Sequence, residues 1–394
     1  MRNYLKQSTL ALIKMEIVKE GTIKIFAAEE KKISKQLEIF YNPVMKFNRD
    51  VSIIVLNALD RIEKKEKIIG LPLAGSGIRG LRFLKELKKH ILKEIHINDY
   101  KNNFKEMMLK NLELNKIKKT NKVIIHNTEA NLFMLHSKGF DYIDVDPFGT
   151  PNPFLDFAAR RIARGGILAV TATDTSALSG TYPSATKRKY FAEPMRNQFM
   201  HEIGVRILIR KIQMIAAQYD KALIPVFSYS KDHYYRIFFR CEKGRTKADK
   251  ILKQHKYFIL CNKCLDFNVS NHNNHQCRKC KKDLLFAGPL WIGELFDKNL
   301  VNMMKKEDYA PVIGKENNEE IKFFENLLEE SKLDIIGFYD IHNFVSKHKI
   351  KTMPRLDELI KRLNKYGVVR THFSKCGIKC NISAKELVKV MKKF

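Results

Sequence analysis

No apolar stretch in this sequence reaches the ~18 residues that a membrane-crossing helix needs. Its N-terminus also lacks the apolar core of a signal peptide, so a soluble, cytoplasmic protein is the expectation. Acidic residues are scarce: 43 Asp and Glu stand against 73 Lys and Arg, a formal charge of +30. Such an excess attracts polyanions, nucleic acid first among them, although a basic surface without a partner is the alternative. The seven cysteines are an odd count that speaks against a closed disulfide framework. With 394 residues the chain is long enough for two domains. Charges dominate from Glu242 to Lys256, which puts the expected boundary near residue 245 and divides the chain into 1–245 and 246–394.

The most informative stretch is Tyr142-Ile143-Asp144-Val145-Asp146-Pro147-Phe148-Gly149. It reads as a buried strand that delivers Asp146 to its carboxyl end, where an open α/β sheet does its chemistry. A carboxylate and the Pro147 carbonyl can hold an exocyclic amine while the Phe148 ring stacks on a planar base. The plainer alternative makes Asp146 a helix cap and Phe148 a core residue.

The neighbouring segments read as alternating strands and helices. Asn48 is a plausible N-cap for a helix with Val51, Ile54, Val55, Ala58, Leu59 and Ile62 on one stripe. Arg49 then falls in the first turn, where a cation opposes the helix dipole; a ligand carboxylate or an ordinary surface position would each account for it. Gly75, Gly77 and Gly80 form G-x-G-x-x-G between a strand and a helix, with Arg79 inside the turn. The next strand ends at Asp99, where doubly wound domains bind ribose hydroxyls of a dinucleotide or of S-adenosylmethionine. At the third strand end, Glu129 and the Ala130 amide could meet an adenine edge, or form a simple turn before a helix. Strands Phe140 to Val145 and Arg164 to Asp174 follow, then a segment over 175–200 that reads as an exposed loop. A helix over 204–219 and a hairpin with Ser230 to His233 at its tip would complete a parallel-rich sheet with helices on both faces.

Cys261, Cys264, Cys277 and Cys280 form C-x2-C-x12-C-x2-C, the spacing of two knuckles that close a tetrahedral thiolate site. Four thiolates leave no open position, so structural zinc is expected there. His255, His272 and His275 are rivals in sequence only. Further on come helices over 321–330, 338–345 and 355–366, a basic hairpin over 368–380, and a capping box of Ser383 with Glu386. Together they suggest a small α+β unit with a winged-helix-like module.

Taken together the chain resembles the tRNA guanine-26 N2-dimethyltransferase family. The resemblance runs through Phe40-Tyr41-Asn42-Pro43 to Arg49-Asp50, Gly77-Ile78-Arg79-Gly80, Asn98-Asp99, Glu129-Ala130-Asn131, Asp144 to Gly149, Thr171 to Asp174, Lys231 to Tyr234, and Arg370-Thr371-His372-Phe373 with Gly377-Ile378-Lys379. It implies a Rossmann-like methyltransferase that moves one and then a second methyl group from S-adenosyl-L-methionine to the N2 of a tRNA guanosine. On that pattern Arg49 and Arg79 face the methionine end, Asp99 the ribose, and Glu129 with Ala130 the adenine. Asp146, Pro147 and Phe148 take the target base, and basic residues between Lys187 and Arg196 join the C-terminal domain in holding tRNA. Leu71 departs from the pattern, which usually has an acid there, and Glu129 stands where many relatives carry an aspartate. A methyltransferase acting on DNA adenine or protein glutamine, and a non-catalytic RNA-binding protein, are the alternatives.

Overall fold

The computed structural model describes residues 15–28, 41–273 and 276–394. Phe40 and His275, singled out above, lie outside them. The first two strands, β1 Met15–Glu20 and β2 Ile23–Ala28, form an antiparallel hairpin. Helix α1, Lys46–Glu63, follows a 3-10 turn in which Asn42 accepts from the Val44 amide. Its N-cap is Met45, so Asn48 lies inside the helix instead of capping it. The reason is packing: Asn48 is fully buried and its side chain donates to Thr171 Oγ1 at 3.0 Å. Ile53 and Leu56 are buried along with the expected stripe, whereas Ile62 is 36% exposed.

A seven-stranded sheet is the frame of the molecule. Its members are β3 Lys67–Leu71, β4 Leu92–Asn98, β5 Val123–His126, β6 Phe140–Val145, β7 Ile162–Ala172, β8 Lys221–Lys231 and β9 Tyr234–Lys243. Their spatial order is β5-β4-β3-β6-β7-β9-β8. The first five run parallel and the β8–β9 hairpin closes the edge in antiparallel fashion. Chain order reverses between β3 and β6, and a crevice opens at that switch point beyond the strands' carboxyl ends. The connecting helices are α2 Ile78–Glu86, α3 Phe104–Leu114, α4 Ala130–His136 and α5 Leu155–Arg161.

The segment over 175–200 departs from expectation. It forms α6 Thr175–Leu178 and α7 Pro183–Tyr190, then runs into α8 Met200–Ala217. Leu178, Tyr190, Ala192 and Phe199 are buried, so apolar anchors among the polar residues pin the segment down. Polar composition alone had concealed them.

Beyond β9 the main core continues through Ile251, Phe258, Leu290 and Phe324. Strands β10 His255–Leu260, β11 Phe267–Ser270 and β12 Leu285–Trp291 form a small antiparallel sheet carrying the four knuckle cysteines at its end. Helix Asn318–Glu330 leads to β13 Tyr339–Asp340, helices Ile341–His348 and Leu356–Leu363, and β14 Val368–Arg370 with β15 Gly377–Cys380. These three strands are ordered β13-β15-β14 and cover a second core containing Phe344, Leu359 and Leu387. The helix expected over 338–345 starts at Ile341, because Asp340 caps it by accepting from the Asn343 amide. The Ser383–Glu386 capping box opens the last helix, Ala384–Met391. Among the described residues no helix is long and apolar enough to cross a membrane.

Candidate active site

A cavity of about 580 Å³ lies at the switch point. Asp99, Arg49, Arg79, Asp146, Pro147 and Phe148 all line it. The glycine turn forms one end. Gly75 and Gly77 have φ of 58° and 78°, a region that favours residues without a Cβ. The Gly75 amide donates to Asp99 Oδ2 at 2.8 Å and the Lys101 amide to Oδ1 at 3.2 Å. Burial raises the Asp99 pKa, while these backbone donors pull it back. Asn98, just before it, donates to the carbonyls of Pro72 and Thr128, both at 3.0 Å, and so ties three strand ends together.

The other end is built on a buried ion network. Asp144 is held by both arms of Arg236, at 2.8 and 2.7 Å, and by the Tyr142 hydroxyl at 2.6 Å. Burial alone would raise its pKa, but Arg236 and Arg79 outweigh burial and hold it below the usual carboxylate range. Arg79 donates to Ser52 Oγ at 2.8 Å, Asn48 Oδ1 at 2.9 Å and Asp146 Oδ2 at 2.6 Å. Asp146 is therefore aimed by a guanidinium that the core already holds. Phe148, 38% exposed, stands at the cavity wall. Behind it the Gly149 amide donates to Thr173 Oγ1 at 2.7 Å, joining the ends of β6 and β7.

Arg49 is buried, which removes the surface-arginine alternative. Its Nε donates to Glu20 Oε1 at 2.7 Å, and Nη2 bonds the other oxygen of the same carboxylate. Glu20 is the counter-charge that permits a cation in the first turn of α1. Burial works against its ionisation, but Arg49 and Arg82 hold it at about 2.

The decisive comparison concerns the chain as a whole. Residues 20–392 match the family described as N2,N2-dimethylguanosine tRNA methyltransferase. The chain belongs to that family. It is 40% identical over 387 residues to the tRNA (guanine(26)-N(2)/guanine(27)-N(2))-dimethyltransferase of Aquifex aeolicus, covering 96% of each chain. With the tRNA (guanine(26)-N(2))-dimethyltransferase of Methanobrevibacter smithii it shares 36% identity over 386 residues, 96% of this chain and 97% of that one. The solved structure of Trm1 from Pyrococcus horikoshii, a complex with S-adenosyl-L-methionine, superimposes with a TM-score of 0.82 at 33% identity. That match covers 95% of this chain and 99% of the other.

Within this dimethyltransferase family member, not every sequence-singled residue reaches the cavity. Glu129 is the N-cap of α4, its Oε2 accepting from the amides of Asn131 at 2.7 Å and Leu132 at 3.0 Å. Neither Glu129 nor Ala130 is among the cavity-lining residues. Leu71 lines the cavity, so the departure from the family pattern puts an apolar side chain on its wall. Residues that sequence reasoning passed over are Glu20, Ser52 and Arg236. They lie in ordinary amphipathic patterns, and only their long-range partners mark them.

The ligand atoms of Cys261, Cys264, Cys277 and Cys280 all lie within 4.8 Å of one another. That set of four soft thiol ligands fits a tetrahedral metal ion. Of its histidine rivals among the described residues, His255 instead contacts Gln213 Oε1 at 2.8 Å and His272 is not part of the group.

Proposed function

We propose that this chain transfers one and then a second methyl group from S-adenosyl-L-methionine to the exocyclic N2 of guanosine 26 in tRNA. The observation that carries this reading is the Asp146-Pro147-Phe148 strand end facing the same cavity as the Asp99 glycine turn, in a chain of the dimethyltransferase family.

In this reading Asp99, already oriented by the Gly75 amide, accepts from ribose hydroxyls. Arg49 and Arg79 face the methionine carboxylate, and Glu129 with the Ala130 amide lies on the adenine side. The cofactor supplies the methyl group as a sulfonium electrophile. Asp146 and the Pro147 carbonyl accept the two N–H groups of the guanine amine and turn its lone pair out of conjugation with the ring. Phe148 stacks on the base. As the new C–N bond forms and the C–S bond breaks, the amine becomes acidic, and Asp146 or water takes its proton. One N–H remains afterwards, so the same geometry serves a second transfer.

The target must leave its stacked position to reach Phe148, which calls for broad contact with phosphates. Lys187, Arg188 and Lys189 on α7 and the C-terminal unit, read as a winged-helix-like module, supply it. The four cysteines hold a structural zinc ion, apart from the chemistry. Mass spectrometry of nucleosides from unmodified tRNA transcripts incubated with protein and S-adenosyl-L-methionine tests the reaction. N2,N2-dimethylguanosine is the expected product. Retained tRNA and cofactor binding without methylated guanosine would leave an RNA-binding protein in its place.

A further inference from the structure

Two parts of the chain separated by 142 positions meet at one hydrogen bond, in which the Ser230 amide donates to Nε2 of His372 at 3.2 Å. Nδ1 of the same ring lies 2.6 Å from Glu330 Oε2. That carboxylate also accepts from the His372 amide and the Thr371 hydroxyl, each at 2.8 Å. Nε2 thus meets the Ser230 amide while Nδ1 meets the Glu330 carboxylate, so both ring nitrogens are engaged. Both side chains are shut off from solvent, at 0% and 1% exposure. The contact is thus a fixed strut from the C-terminal half to the β8–β9 hairpin.

What the strut supports is the wall of the cavity. Ser230 begins the hairpin tip, and His233 at its end lines the cavity with Asp146 and Phe148. Lys231, between them, is clasped from the same side. Its Nζ sits 5.7 Å from the Phe323 ring centroid and 3.7 Å from Glu320, both on helix Asn318–Glu330. His233 itself takes no hydrogen-bond partner among the described residues. An imidazole with both ring nitrogens unspent therefore lines the same space as the acid.

We propose that His233 is a further base-contacting residue of the methylation site, and that His372 is the positioning residue through which the C-terminal half holds it in place. This rests on the reading of the site as a guanosine N2 methylation centre. Asp146 and the Pro147 carbonyl grip the amine by two N–H groups, and the first methylation removes one of them. From then on the base is held in plane by fewer bonds. A further group on the cavity wall that bonds the purine edge matters more for the second transfer than for the first.

Product ratio is the readout that a merely structural role would not move. In single-turnover reactions with unmodified tRNA, His233→Ala is expected to raise the ratio of N2-methylguanosine to N2,N2-dimethylguanosine about tenfold. Dissociation constants for tRNA and S-adenosyl-L-methionine should stay within about twofold. His372→Asn keeps a donor for Glu330 but loses the acceptor facing Ser230, and should reproduce that shift. His372→Gln, whose amide oxygen reaches the Nε2 position, should restore the wild-type ratio. Combined with His233→Ala, His372→Asn should add nothing, because both act through one side chain. An unchanged ratio in His233→Ala, or additive effects in the double variant, would overturn the proposal. A wild-type protein that forms no methylated guanosine overturns the underlying reading, and this inference with it.

Discussion

Arg79 and Asp146, both lining the cavity, are joined with Nη2 2.6 Å from Oδ2. The same guanidinium lies 3.3 Å from Asp144 through Nη1 and is fastened to Ser52 and Asn48. The acid proposed to receive the target amine is thus paired and aimed before any ligand arrives, through a cation that the buried Asp144 helps to anchor. A preorganised acceptor of this kind costs no reorganisation when the base enters.

Replacing Asp146 with Ala is expected to lower the rate of guanosine N2 methylation about 10²–10³-fold, the usual loss when one preorganised polar group is removed from a reacting centre. The core partners of Arg79 remain, so affinity for S-adenosyl-L-methionine should change by less than about tenfold. Single-turnover rates alongside calorimetric cofactor titration check both halves. An equal loss in both quantities would assign Asp146 to cofactor binding.

Asp99 and Glu129 separate in the same titration. Removing the Asp99 carboxylate deletes charge-assisted bonds worth about 1.5–3 kcal/mol, a ~10–100-fold loss of cofactor affinity. Glu129→Ala removes an N-cap and is expected to cost about 1 kcal/mol of stability, seen in thermal melting, with a smaller loss of affinity. Affinity losses of equal size would show that Glu129 leaves its cap to meet the adenine.

Acid should unfold the protein partly through Glu330. Burial opposes its charge, but His372 and Lys379 hold it at about 2, below its ordinary value of 4.5. A depressed carboxylate contributes stability above its unfolded pKa and loses it as pH falls toward the folded one. That contribution is about 3 kcal/mol, lost between about pH 4.5 and 2. Asp50, which burial pushes up to about 6 despite Arg82 and Lys46, acts in the opposite sense. Comparing denaturant midpoints of wild type and Glu330→Gln across pH cancels its effect. The variant should be less stable at pH 7, with the gap closing on acidification; a pH-independent gap would contradict the assignment.

One zinc ion per chain is expected by elemental analysis, because the four knuckle thiols converge within 4.8 Å. Cys277→Ser should lose most of it and melt at lower temperature. Methylation measured well below that melting point should persist, since a closed four-thiolate site has no position for substrate. Loss of activity in a folded, zinc-free variant would give the metal a larger part.

Much of the site was legible in local pattern. Apolar runs ending at Asp99 and Asp146 revealed strands and the acids at their tips, because burial and backbone geometry act over a few residues. The glycine turn, the cysteine spacing and the Ser383–Glu386 box are likewise settled by neighbours in sequence. Composition misled over 175–200, where few apolar residues among many polar ones decide burial. Asn48 looked like a cap because capping is the commonest local use of its side chain.

Tertiary structure alone decided the pairings. Glu20 answers Arg49 across 29 positions, Arg236 answers Asp144 across 92, and His372 reaches Ser230 across 142. No periodicity encodes such partners, since they depend on which strands lie side by side and how far each chain segment travels before returning. Strand order brings β9 near β6 and carries the C-terminal turn to the hairpin tip. The chemical groups were therefore written in the sequence, and their orientation and charge state were set by long-range packing in a low-dielectric core.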